Sequence, residues 1–422
     1  MRTQSAGTIG QLVSTLALVL MALTSVAACA QAPNGGNTTH TQPPITIGAS
    51  VPLTGDFSDD GKALQQGYQI WAEEINQQGG LLGRPVVLDL LNDNSDAKQV
   101  TTNYQKLITV DKVDLIVGPL SSTMTIAAMR VAKRYNYAFV EGIGSANSVF
   151  DAAKSINMTS LFSVSLSVAS YMNSFSYYIL SLPQAMRPKT VAYVGADDPF
   201  VSQQLTTLKT SFSKYGLRTV LDATYSAEAT DFAAFAQKIV ASQADVVVLG
   251  SQAVTDCSAF INSFKQQKYD PKAFIATTGP DQGTAFTSAI GGARYAQGVF
   301  IPNGSWSPGV QSFQNAQFVS DYLAKFGGKS ADISATAAEG YSVLQVLGQA
   351  VNHIHSIDNT KLIAELQSGT YSSVQGPVRF DSNGENTLSV PFLFQWQNGQ
   401  LIVVYPGYDA KANPEYPKAQ VW

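Results

Sequence analysis

From Ile45 onward, short apolar runs alternate with stretches in which apolar side chains recur every three or four residues. Residues 45–49 (ITIGA) read as a buried strand, and Leu64, Tyr68, Trp71 and Ile75 then share one helical face. That helix is predicted to stop in QQGG at 77–80, a C-cap and turn signal. A second strand is expected over 86–91, then a helix with Val100, Tyr104, Leu107 and Ile108 inward, then a strand at 115–118. A helix over about 122–135 and a strand around 138–140 complete a βαβαβαβ series. Such alternation implies a parallel sheet with helices on both faces.

The pattern breaks near Phe162, Ser163 and Val164 and restarts. Strands are expected at 190–194, 218–223, 246–250 and 273–276, with helices at 200–215, from a cap at Thr230 or Asp231, and through Phe264. This is a second α/β series of the same kind. After 298–301 come long helical patterns at 310–326 and 334–354 and a shorter one after Asn359. Apolar runs at 391–396 and 401–405 flank Asn398 and Gly399, and an Asn-Gly turn between such runs predicts a hairpin.

The N-terminus has a different pattern. The apolar run 16–23 is too short for a permanent membrane span and ends in small residues, which reads as a secretory signal. Cys29 follows Val26, Ala27 and Ala28 directly. The segment resembles a bacterial lipoprotein signal, which implies cleavage after residue 28 and a lipid on Cys29. Residues 31–44 (QAPNGGNTTHTQPP) hold almost nothing apolar and read as a flexible tether. The body is thus expected outside the cytoplasmic membrane, anchored through Cys29.

Composition narrows the function classes. Hydrophobic residues make up 45% and charged ones 13% of 422, enough for two sizeable cores. A net charge of −4 argues against nucleic acid as a partner. If Cys29 is lipidated, Cys257 has no intramolecular partner; its helical neighbours Val254, Phe260 and Ile261 make it a small core residue. Of three histidines, His40 falls in the tether, and His353 and His355 point to different helix faces. That leaves no support for a zinc site or a His-based triad. GDFSDDGK at 55–62 is one residue too long for a phosphate loop, and three aspartates would repel a triphosphate. The Asp56, Asp59 and Asp60 trio lacks calcium-loop spacing and reads as a solvated loop. No catalytic residues, metal ligands or cofactor are expected.

Several blocks then occur in a recognisable order: VPLTG at 51–55, QQG at 65–67, EIN at 74–76, GGLLGRP at 79–85, NDNSD at 92–96 and VGPLSS at 117–122. The series resembles the type I periplasmic binding proteins of the leucine/isoleucine/valine group, substrate-binding components of ABC importers. The resemblance implies two doubly wound parallel-sheet lobes joined by three crossings, near Val164, Phe300 and Gly384. The first lobe would comprise 45–163 plus 301–384, the second 164–300 plus 385–422. Positions matching a disulfide of some family members are Ser95 and Ser121, so that brace is absent.

In a doubly wound sheet the ligand sits at the carboxyl ends of the strands. GPLSST at 118–123 lies there and opens a helix, whose free N–H groups favour an anion. By resemblance, Ser122, with Thr123 beside it, takes a ligand carboxylate, and Ile143 and Ser145 hold an ammonium through a carbonyl and a hydroxyl. Asp281 or Thr278 matches the ammonium partner on the second lobe. Phe57, Asp60, Phe200 and Gln252 fall at further contact positions. Asp60, Phe200, Gln252 and Glu141 depart from the family's branched-chain pattern, which leaves amides, urea derivatives and aromatic acids open beside amino acids. The resemblance implies a non-enzymatic monomer that works with a membrane permease and its ATPase subunits; a domain reporting ligand to a membrane receptor would share the fold.

Overall fold

The alternation of apolar runs and amphipathic helices resolves into two α/β lobes. A computed structural model describes residues 42–303, 306–406 and 410–422. Cys29, the signal segment and the tether up to residue 41 lie outside the described residues. The last tether residues are pinned to the body: Arg84 Nε and Nη2 donate to the carbonyls of Pro43 (2.7 Å) and Pro44 (3.1 Å).

The first lobe opens with β1 (Ile45–Val51), α1 (Ser58–Gln77), β2 (Val86–Asn92), α2 (Ala97–Thr109), β3 (Leu115–Val117), α3 (Ser122–Arg134), β4 (Phe139–Glu141), α4 (Asn147–Ser155) and β5 (Leu161–Ser163). The five strands form one sheet in the order β2-β1-β3-β4-β5, all parallel. The chain then enters α5 (Val168–Tyr171) and α6 (Asn173–Ser181); Met172 between them and Phe175 of α6 already belong to the second lobe's core. There follow β6 (Thr190–Ala196), α7 (Pro199–Lys214), β7 (Arg218–Tyr225), α8 (Ala233–Ser242), β8 (Val246–Gly250), α9 (Val254–Gln267), β9 (Ala273–Ala276), α10 (Gly283–Ala289) and β10 (Val299–Asn303).

The return to the first lobe supplies α11 (Asn315–Phe326), α12 (Ala335–Ile354), α13 (Asn359–Ser368) and the small hairpin β11 (Tyr371–Ser373) and β12 (Gly376–Val378). Trp306 and Phe318 pack into the first core beside α1 and α12. The hairpin β13 (Phe392–Gln397) and β14 (Gln400–Tyr405) ends the fold on the second sheet, whose order is β14-β13-β10-β9-β8-β6-β7. The parallel part is β10-β9-β8-β6-β7; β13 runs antiparallel to both β10 and β14. The second sheet is therefore mixed rather than parallel throughout: β13 returns antiparallel to β10, and the tight Asn398-Gly399 turn reverses the chain again into β14.

Two of the expected crossings move. Phe300 and Ile301 are inside β10, paired to β9 and β13, so the chain leaves the second sheet only after Asn303. Glu385 bridges to Ser163 and Asn386 to Phe380, so both stay with the first lobe and the last crossing falls between Asn386 and Phe392. In each case backbone pairing carries the strand a few residues beyond the change in side-chain pattern. No helix among the described residues is long and apolar enough to cross a membrane.

In each sheet the order reverses beside the first strand of its lobe, at β1/β3 and at β6/β8. These switch points are where loops diverge and leave a crevice beyond the strand ends.

Candidate functional site

The loops beyond both switch points are held by buried hydrogen bonds. On the first lobe, Tyr68 on α1 donates to the carbonyl of Gly118 (2.9 Å), and Tyr104 on α2 donates to that of Val117 (2.5 Å). Ser95 accepts from the Phe57 N–H (3.1 Å) and donates to the Thr54 carbonyl (2.9 Å), so hydrogen bonds tie these loops where a disulfide is lacking. On the second lobe, Asp198 caps α7, accepting from the N–H groups of Phe200 (2.8 Å) and Val201 (3.2 Å). Asp256 gathers the N–H groups of Gln252, Ala253 and Cys257 and the Tyr225 hydroxyl, which fixes the β8–α9 loop. Asp281 accepts from the Gly279 N–H (3.0 Å), and Trp396 on β13 donates to the Pro280 carbonyl (2.7 Å).

These loops enclose a cavity of about 100 Å³ between the lobes. The first lobe contributes Phe57, Asp60, Leu120, Ser121, Ile143, Ala335, Thr336 and Glu339; the second contributes Asp198, Phe200, Gln252, Thr277, Thr278, Asp281, Ile301 and Pro302, with Tyr171 on α5. Six expected residues are thus brought together: Phe57, Asp60, Ile143, Phe200, Gln252 and Asp281. Thr278, the alternative to Asp281, lines the same wall. The lobes meet directly at the site, where Gln282 Nε2 donates to Asp60 Oδ1 and Thr284 on α10 donates to Asp332.

Three expected contacts fall elsewhere. Ser121, not Ser122, reaches the cavity; it is the N-cap of α3, with φ at 71° and its Oγ accepting from the Met124 N–H. Ser122 is 1% exposed and its Oγ is buried without a partner. Thr123 is exposed and Ser145 is buried, its hydroxyl donating to the Leu166 carbonyl (3.0 Å). Ser145 therefore ties the first crossing to the β4–α4 loop rather than lining the cavity. Ser121, with φ 71° and ψ 154°, is the cap residue directly before α3, so it stands at the exposed corner while Ser122, the first helical residue, is buried.

Glu339, Asp198, Tyr171 and Thr336 are among the lining residues not expected from the sequence. A signal for Glu339 existed: apart from His353 it is the sole ionisable acid or base in the 20 residues of α12, 16 of which are buried. Asp198 had one too, as an acid directly before Pro199 at a helix start. Glu141 lies just behind the wall, where its carboxylate accepts from the Ile143 N–H (2.9 Å) and from that of Gly144.

The electrostatics are one-sided. Burial, then the neighbouring Asp281, pushes Asp60 up to about 7. Burial pushes Asp281 up to about 6. Glu339 rises well above the usual carboxylate range through burial, then through Asp281, Asp60 and Glu141. Asp198 is raised by burial as well. No group of His, Cys, Asp and Glu among the described residues is arranged to hold a metal ion. Cys257 is fully buried in the second core and its thiol is pushed up by burial, as a packing residue would be.

A family model described as "Periplasmic binding protein" matches residues 44–400. The Leu/Ile/Val-binding protein homolog 7 of Brucella abortus (strain 2308) is 25% identical over 396 residues, covering 88% of this chain and 93% of that protein. The branched-chain amino acid transporter substrate binding protein LivJ from Streptococcus pneumoniae, in complex with isoleucine, superposes with a TM-score of 0.73 at 20% identity, covering 86% of this chain and 100% of that one. An ABC transporter solute binding protein from R. palustris, in complex with benzoate, gives a TM-score of 0.73 at 16% identity over 89% of this chain and 97% of that one. The structural matches show a common fold, and the family model spans more than four-fifths of the sequence. The chain belongs to the periplasmic binding protein family.

Proposed function

We propose that this protein is the substrate-binding lipoprotein of an ABC importer. It captures an amino acid or a related small polar solute between its lobes and delivers it to a membrane permease. The observation that carries this reading is the cavity itself: it lies at the carboxyl ends of the strands of both sheets and has polar groups from each lobe on its wall. A ligand that touches both walls favours the closed arrangement by its differential affinity, and hinge opening at the permease releases it. Support for an amino acid comes from the relative named for Leu/Ile/Val binding and from the isoleucine complex. The benzoate complex is an observation in favour of a second ligand class on the same fold.

The test is a thermal-shift screen over amino acids, amides, urea derivatives and small aromatic acids, since a ligand bound only by the folded state raises its melting temperature. The compound giving the largest shift is then measured by calorimetry against Asp281→Ala. Losing one charged hydrogen bond of about 1.5–3 kcal/mol weakens binding by roughly 10- to 150-fold. A screen with no shift, or a shift that Asp281→Ala leaves unchanged, refutes this site.

A further inference from the structure

The cavity wall carries four carboxylates, Asp60, Asp198, Asp281 and Glu339, and no Lys, Arg or His. Asp198 is already committed to the first N–H groups of α7. Asp60 shares one oxygen, Oδ1, with Gln282 and Thr336, while its other oxygen has no hydrogen-bond partner among the described residues. Glu339 is 7% exposed and lines the cavity, and among the described residues no hydrogen bond reaches its carboxyl. The ionisable groups that act on it are Asp281 from the β9–α10 loop, Asp60 from α1 and Glu141 from the end of β4, with Tyr171 of α5 close by. None of the ion pairs among the described residues includes Asp60, Asp281 or Glu339.

A plain zwitterion does not match this wall. Its ammonium satisfies one acid, its carboxylate needs a place away from the others, and an apolar side chain would then lie against unpaired carboxyls. Buried charge is tolerated when it is paired, and no cationic side chain among the described residues pairs these groups.

We propose that the ligand is a small organic cation with net positive charge, of diamine or guanidino type, whose nitrogen groups sit among Asp60, Asp281 and Glu339. This rests on the reading of the cavity as the solute site. Cationic N–H groups donate to acceptor-only carboxylates, and charge-assisted bonds of this kind are the strong ones. Binding also has a proton signature. Carboxyls that hold protons in the free protein lose them when a cation arrives, so affinity climbs as pH rises through about 6–7 and protons are released. A neutral solute held by protonated carboxyls gives the opposite slope.

The experiment is calorimetry on the full-length chain with 1,4-diaminobutane, arginine, leucine and benzoate, at acid and slightly alkaline pH, each in two buffers of different ionisation enthalpy. The expected result is that one of the two cations binds at least about tenfold tighter than leucine or benzoate, with proton release and tighter binding at the higher pH. Glu339→Gln should weaken that cation by about tenfold or more without lowering the melting temperature of the free protein. Leucine or benzoate binding more tightly than both cations overturns the charge assignment and leaves the solute-binding reading standing. Cation binding that is insensitive to Glu339→Gln, or that weakens as pH rises, also overturns it. Binding of none of the four overturns it too, while the wider thermal-shift screen separately decides whether the cavity is a solute site.

Discussion

Gly67→Ala isolates the helix pair that carries half of the site. Gly67 lies mid-way along α1, and a Cβ there would meet the Ala337 carbonyl oxygen of α12 at 2.0 Å and the Tyr341 nitrogen at 2.9 Å. Gly340 returns the close approach, since its Cβ would lie 2.8 Å from Leu64 Cδ1. Two effects oppose each other. In an open helix, Gly→Ala gains about 1 kcal/mol of helix propensity. Here the obstacle is backbone, which cannot swing aside as a flexible side chain does, so the helices must part by about 1 Å. Overpacking of this sort costs about 1–3 kcal/mol, and a backbone obstacle places it at the upper end. The net expectation is a loss of about 2 kcal/mol, read as a lower urea midpoint at unchanged slope. The same shift moves Asp60, near the start of α1, away from Thr336 and Glu339 on α12, so ligand affinity falls with it. A midpoint equal to or above the parent's would show that propensity wins and that the α1–α12 contact is soft, and the reasoning would fail.

Two further predictions concern charge and anchoring. Asp60, Asp281 and Glu339 hold protons in the folded state to pH values at which the unfolded chain has released them, so the folded state binds more protons and stability falls as pH rises from about 4 to about 7. Asp60→Asn should flatten that fall and raise the ligand-free melting temperature near neutral pH; scanning calorimetry giving an equal or steeper slope would contradict it. For the anchor, Cys29→Ser should move the protein from the membrane pellet to the soluble extracytoplasmic fraction, and an unchanged pellet fraction after high-salt washing would rule out the lipid.

The fold was legible because buried parallel strands are nearly unbroken apolar runs and the helices between them keep a 3.6-residue period. All of β1, β2, β8 and the Asn398-Gly399 hairpin announce themselves in this way. The short pieces did not. With three residues, β5 is too brief to show a period and reads as a break, and α6 (NSFSYYILS) is buried on several faces, so no amphipathic stripe marks it. The site divides along the same line. Residues in strand-end loops, such as Asp281 and Ile143, follow from topology. Glu339 lies almost 200 residues beyond Ile143 in the chain, and only the packing of α12 beside the β4–α4 loop brings them to one wall. The Ser121/Ser122 offset depends on the backbone of a single cap residue, Ser121 at φ 71°, which no apolar pattern encodes.

The placement of the acids also bears on how the lobes close. Asp60 and Glu339 belong to the first lobe and Asp281 to the second, so closure brings like charges toward one another across the cavity. The Gln282–Asp60 and Thr284–Asp332 hydrogen bonds favour closure, each a single bond to a carboxyl worth about 1–3 kcal/mol. Repulsion among buried carboxyls, or the proton uptake that relieves it, is of comparable size, since a tenfold change in a carboxyl's proton affinity corresponds to about 1.4 kcal/mol. With the cation proposed above between the walls, the repulsion that opposes closure would become an attraction that favours it. On this account the acids that make the site costly to build are what makes closure depend on the ligand.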